Sequence, residues 1–155
     1  MIEERLAELG IELAQAPTPV ATYVPVKVVG GLAFVAGQIP TVEGMVDPTG
    51  AVGSKVTTED ANAAARRCAI QALAALKEAL GSLDRVLGIA KVDVFVASAP
   101  GFTDQSTVAN GASDLLVAVF GNEGRHARAA VGVPELPLGA AVEVALVAVV
   151  QEGRG

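Results

Sequence analysis

The sequence predicts an α+β fold in which a mixed β-sheet carries two helices packed on one face. Short apolar runs are typical of strands, and two longer segments between them have helical spacing. Apolar residues make up 52% of the 155 residues and charged residues only 18%, whereas about a quarter of a typical soluble domain is charged. We therefore expect one domain over residues 1–155 that buries apolar surface against further copies of itself.

The first elements are a short helix and a hairpin. An amphipathic helix within residues 1–16 forms an N-terminal extension and ends at Gly10, and a loop follows at Pro17–Pro19. Strands are predicted over Tyr23–Val29 and Leu32–Gln38. The two glycines between them favour a tight turn, because glycine accepts the positive φ that such a turn needs.

The middle of the chain predicts a loop and then the clearest helix. Residues 39–56 are rich in glycine, proline and aspartate, which favours a loop in which a short strand pairs back. The helix begins at Thr57 or Thr58, where Asp60 completes a pattern similar to a capping box, and Gly81 ends it. Alanines at helical spacing would let this helix lie close to a sheet.

The second half alternates strand, helix and strand. We predict a strand over Ile89–Ala97, a helix over about Asp104–Phe120, and final strands over Ala129–Val133 and Ala140–Val150. The apolar runs of the last two strands are typical of strands buried on both faces. Both helices can then cover the same face of the sheet, and the opposite face stays available for self-association.

Composition and charge exclude several classes of function. The net charge is −6 with no basic cluster and 3% aromatic residues, so neither nucleic acid nor an anionic membrane is an expected partner. The first nine residues carry four charges, unlike a signal peptide, and no apolar run is long enough to span a membrane. The single cysteine, Cys68, fits a reducing cytoplasm, and the single histidine argues against most metal sites.

Two charged residues in apolar strands are the main site candidates. Arg128 stands at the start of one strand, and its planar guanidinium suits a carboxylate held by two parallel hydrogen bonds. Glu143 lies inside the next strand, where it could orient or deprotonate a water molecule. The alternative for Arg128 is a structural ion pair, for which Glu143 itself is a candidate partner. The alternative for Glu143 is a polar contact between subunits.

Five further residues are weaker candidates. Tyr23, Gln38 and Asn110 could line a binding site. Ordinarily a tyrosine such as Tyr23 lies in the core or at its rim, Gln38 would bond to the backbone, and Asn110 would be a solvated residue within a helix. His126 is expected to be exposed rather than catalytic. Cys68 is expected to be inert packing within the alanine-rich helix face.

Three segments resemble the RidA/YjgF family of enamine/imine deaminases, whose members once carried the names L-PSP endoribonuclease and translation inhibitor. They read TYVPVKVVGGLAFVAGQIP (Thr22–Pro40), VDVFVASAPGF (Val92–Phe102) and ARAAVGVPELPLGAAVEV (Ala127–Val144). The most specific features are the Gly-Gln-Ile-Pro sequence and the arginine fifteen residues before the glutamate. The chain is similar to a longer side branch of this family. It has Ala36 where the family often has serine, and Ala130 where it often has cysteine.

The resemblance implies a chorismate-mutase-like fold and a homotrimer with three clefts between subunits. It implies that Arg128 holds the carboxylate of a 2-imino or 2-enamino acid and that Glu143 helps to position the attacking water. Tyr23, Asn110 and, within the family motif, Gln38 would contribute to the pocket. No cofactor is expected, because an imine is already electrophilic. The alternatives are a trimer that binds small carboxylates without turnover and, less favoured by the net charge, a ribonuclease.

Overall fold

The computed structural model describes residues 1–16 and 21–153. The loop expected at Pro17–Pro19 lies outside these residues. The helices are α1 (Ile2–Glu8), α2 (Thr58–Leu80) and α3 (Gln105–Phe120). The strands are β1 (Val26–Val29), β2 (Leu32–Gln38), β3 (Thr41–Val42), β4 (Met45–Val46), β5 (Val86–Ala97), β6 (Ala127–Val133) and β7 (Val142–Val150).

The main sheet has five strands in the order β1-β2-β7-β5-β6. Its β5–β6 pair is parallel and its other pairs are antiparallel. The strands connected through helices, β2 with β5 and β5 with β6, run in the same direction, as helical crossovers require. The predicted mixed sheet is therefore confirmed. β3 and β4 form a separate small hairpin, which is the short strand pairing expected within residues 39–56.

The predicted boundaries of α2 are confirmed. The Thr57 side chain accepts a hydrogen bond from the backbone N–H of Asp60, and Gly81 ends the helix with a φ of 85°. Alanines and Cys68 make up most of its buried face, together with Leu73, Leu76 and Leu80. The small side chains let the helix lie close to the sheet. Burial raises the pKa of the Cys68 thiol, which agrees with an inert packing role.

The two long helices are in direct contact at Gly111. A Cβ atom added at this glycine would overlap the backbone carbonyl oxygen of Asn62 on α2. The glycine that would weaken an isolated helix is therefore required by the close approach of α3 to α2. The buried faces of both helices and one face of the sheet form a single apolar core.

Several strand predictions need correction. β1 begins at Val26 and leaves Tyr23 outside, because Pro25 has no N–H to donate to a neighbouring strand. The expectation that the last two strands are buried on both faces is wrong for this chain. β6 lies at the edge of the sheet with Ala129 and Val131 exposed, and β7 buries only one face fully.

The sheet face opposite the helices, the open face, carries a band of apolar side chains. The strand register places on it Val29, Leu32, Phe34, Phe95, Val131, Val147 and Val149. Of these, Phe34 is 45% exposed and Val29 57%. A Lys91–Asp93 ion pair of 2.7 Å lies among them. No described helix is long and apolar enough to cross a membrane.

Candidate functional site

Arg128 lies on the edge strand β6 and is held by the side of α3. In the sheet it pairs with Val92, so its side chain projects to the face that the helices cover. The Nη1 atom donates to Asn110 Oδ1 at 2.9 Å and to Ser113 Oγ at 3.1 Å. These two acceptors are three residues apart on α3 and therefore lie on the same side of the helix.

The other edge of the guanidinium carries the donors that remain after the contacts with α3. Both hydrogens of Nη1 are used by α3, whereas Nε and Nη2 have no acceptor among the described residues. These two atoms form the planar pair of donors that matches a carboxylate. The geometry therefore leaves Arg128 fixed in direction and able to form two parallel hydrogen bonds.

His126 belongs to the same group of residues, and the expectation that it is exposed is wrong. It is half-buried, with Nε2 2.9 Å from Ser113 Oγ and Nδ1 2.6 Å from the Gly124 carbonyl oxygen. It comes two residues before Arg128, so the two side chains project to the same side of the backbone. Sequence reasoning also missed Ser113, whose only signal was its position three residues after Asn110.

Glu143 lies in β7 opposite Phe95, on the open face. A Cβ atom added at Gly37 would lie 2.7 Å from its Oε2 atom, so the carboxylate fits against the bare backbone of β2. Loss of hydration by burial raises the pKa of the Glu143 carboxyl above its ordinary value. A carboxylate whose pKa is raised accepts a proton more readily than one with the ordinary pKa.

Arg128 and Glu143 do not form an ion pair in this chain. Arg128 shares its sheet face with Val92 and Leu146, and Leu146 is three residues from Glu143 along β7. Side chains alternate along a strand, so the two charged groups lie on opposite faces. The alternative of a structural pair between them is therefore wrong for one chain.

The remaining candidates are placed less decisively. Tyr23 is 58% exposed at the entrance to β1. Gln38 donates from Nε2 to the Ala36 carbonyl at 3.1 Å, the backbone-satisfying role considered for it, and pairs in register with Val144 beside Glu143. The described residues contain no group of three or more His, Cys, Asp and Glu placed to hold a metal ion.

Comparison with known proteins adds a family and a set of related structures. Residues 3–150 match the family described as "YjgF/chorismate_mutase-like, putative endoribonuclease". Protein TCP17 of Trypanosoma cruzi is 49% identical over 144 residues, which cover 92% of this chain and 90% of that protein. The structure of Atu1372 from Agrobacterium tumefaciens is 44% identical with a TM-score of 0.90, covering 97% of this chain and 92% of that one. A Shewanella oneidensis structure that carries the same endoribonuclease name is 31% identical, with a TM-score of 0.92 and coverage of 97% and 99%.

Proposed function

Because the chain belongs to the YjgF/chorismate-mutase-like family, we propose that it hydrolyses 2-imino and 2-enamino acids to 2-oxo acids and ammonia. The observation that carries this proposal is the state of Arg128. Its Nη1 atom is held by α3, and its Nε and Nη2 atoms have no acceptor in the part of the chain that the structure describes. A small organic acid is the ligand class that such a pair of donors fits best.

The reaction needs an oriented imine and a water molecule. With the carboxylate on Arg128, the water oxygen attacks the imine carbon and the C=N electron pair moves to nitrogen, which takes up a proton. The resulting carbinolamine loses ammonia as the carbonyl forms. In the addition step Glu143 accepts a proton from the attacking water and passes it to the imine nitrogen. In the elimination step it accepts the hydroxyl proton of the carbinolamine and passes it to the leaving nitrogen. Holding both reactants in place supplies much of the rate.

The complete site requires more than one chain. Arg128 and Asn110 lie on the helix side of the edge strand, whereas Glu143, with Gly37 beside it, lies toward the open face. We propose a homotrimer in which the open faces meet and each cleft combines the cation of one chain with the carboxylate of its neighbour. Tyr23, exposed near β1, would line the cleft from the carboxylate side.

The test is the decay of 2-iminobutanoate generated by a threonine dehydratase. Wild-type protein should accelerate the decay, and Arg128→Ala should remove the acceleration, because the carboxylate loses its two donors. Arg125→Ala removes an exposed arginine three residues earlier and should retain wild-type activity. Wild-type activity in Arg128→Ala would rule out the proposed role of this residue.

A second outcome separates turnover from binding. Unchanged imine decay with wild-type protein, together with saturable binding of 2-oxobutanoate, would assign the cleft to binding alone. Ribonuclease activity is less well supported, because a chain of net charge −6 attracts RNA poorly. RNA cleavage that is lost in Arg128→Ala would favour it.

A further inference from the structure

From the contacts around Arg128 we infer that Ser113 and His126 are positioning residues, which fix the guanidinium through a one-way chain of hydrogen bonds. The inference rests on the proposed function for its ligand class, a small carboxylate. It concerns residues that do not touch the substrate and act through Arg128. The chain runs from Arg128 through Ser113 and His126 to the backbone of Gly124.

The direction of each bond follows from the chemistry of its atoms. A carbonyl oxygen can only accept, so the 2.6 Å contact with Gly124 requires a hydrogen on Nδ1 of His126. In the neutral ring Nε2 is then an acceptor, and Ser113 donates its hydroxyl hydrogen to it at 2.9 Å. The Ser113 oxygen keeps its lone pairs for Arg128, whose Nη1 donates at 3.1 Å.

Bonds that all point the same way strengthen each other. Donation by Ser113 to His126 makes the serine oxygen a better acceptor for the guanidinium. The far end of the chain packs closely against α3, because a Cβ atom at Gly124 would overlap the Leu116 carbonyl oxygen. The long arginine side chain is therefore ordered before a ligand arrives, which reduces the entropy lost on binding.

A purely structural role, tying β6 to α3, would leave ligand affinity unchanged. Positioning predicts that Ser113→Ala raises the Kd for 2-oxobutanoate at least fivefold and raises KM for the imine by a similar factor. The kcat should stay within twofold, because the carboxylate is held equally in the ground and transition states. Ser113→Thr keeps the hydroxyl and should restore the wild-type Kd. The control is Ser106→Ala, an exposed serine on the same helix without a described side-chain hydrogen bond.

The tautomer of His126 can be measured in the wild-type protein, so this test does not depend on the folding of any variant. His126 is the only histidine, so its ¹⁵N imidazole signals are unambiguous. At pH 8.5 we expect the Nδ1–H tautomer. The signals should shift as 2-oxobutanoate is added, and the shifts should give the same Kd as calorimetry does. An Nε2–H tautomer, or signals that ignore a ligand that binds, would overturn the inference.

The two proposals fail in different ways. If wild-type protein binds 2-oxobutanoate and Ser113→Ala changes its Kd less than fivefold, only the positioning role is lost. If wild-type protein neither binds the acid nor hydrolyses imines, the proposed function is lost. The hydrogen-bond chain can then still be tested by NMR. Arg128→Ala should shift the His126 Nε2 signal, and Ser106→Ala should leave the signal unchanged. An unchanged signal in Arg128→Ala would refute it.

Discussion

At the scale of single residues, the two ends of the Arg128 guanidinium have different tasks. One end donates to Asn110 and Ser113, and the other has no acceptor within residues 1–16 and 21–153. Lysine has the same charge but no planar pair of donors, so the division between anchor and ligand depends on arginine itself. The proposed site therefore depends on the geometry of the guanidinium as well as on its charge.

Glu143 gives a pH prediction at the same scale. Its pKa is raised in the folded state because burial penalises the carboxylate. The folded protein then holds this proton more tightly than the unfolded chain does, so wild-type stability is lost as the pH rises from the ordinary glutamate value through the raised one. Glu143→Gln has no charge to bury. Its free energy of unfolding should therefore exceed that of wild type at pH 7.5, and the difference should reach its minimum below the ordinary glutamate pKa of 4.5.

Urea unfolding of both proteins across this pH range measures the difference. Glu135→Gln removes an exposed glutamate from the loop before β7 and should not reproduce the trend. A difference between Glu143→Gln and wild type that is the same at every pH would contradict the prediction.

The sequence predicted the charged residues of the site better than their partners. Arg128 and Glu143 could be found because charge is rare in apolar strands. Ser113 and His126 could not be assigned, because their roles depend on how β6 lies against α3. The sequence also could not show that Arg128 and Glu143 lie on opposite faces of the sheet. That result depends on the strand register, which cannot be derived from the fifteen-residue spacing because a loop lies between the two strands.

At the scale of elements, the close contact between α2 and α3 predicts a large effect at Gly111. Gly111→Ala places a methyl group against the backbone of Asn62, which cannot move without shifting α2. We expect a loss of about 2 kcal/mol or more in the free energy of unfolding, the range of overpacked cores. Urea denaturation measures it.

Gly31→Ala is the matched control for this substitution. A Cβ atom there would meet the Val150 carbonyl oxygen at an ordinary 3.6 Å, so the loss should be much smaller. Equal losses for the two variants would show that the effect at Gly111 does not come from helix contact.

Elements with strong local signals were predicted closely. Both ends of α2 are encoded by its own residues, Thr57 and Gly81, so its boundaries are confirmed. The five strands of the main sheet were predicted in the right order, and each ends at the predicted residue. β2 also begins where predicted, whereas the other four begin two or three residues away, because pairing partners decide where a strand begins. The burial predicted for β6 was wrong, since apolar composition alone does not distinguish a central strand from an edge strand.

At the scale of the whole molecule, the opposite positions of Arg128 and Glu143 predict complementation between inactive chains. Arg128→Ala and Glu143→Gln should each be inactive alone. Co-expressed and purified as mixed trimers of the proposed assembly, they should regain about a third of wild-type imine hydrolysis, because one of the three clefts in each mixed trimer joins an intact cation to an intact carboxylate.

Differently tagged chains, purified together through both tags and tested in the imine assay, provide the measurement. Arg128→Ala mixed with Arg128→Gln is the control and should stay inactive, since neither chain supplies the cation. Absence of activity in the first mixture would mean that one chain contributes both groups to the same site.

A site divided between neighbours also affects how a genetic defect is inherited. Under the proposed assembly, a chain without its cation still lends an intact carboxylate to the cleft it shares. In a cell that makes normal and cation-deficient copies equally, about half of the clefts stay complete however the copies are sorted. Such an allele would lower the total imine hydrolysis in proportion to its share of the chains, and mixed trimers would keep part of their activity.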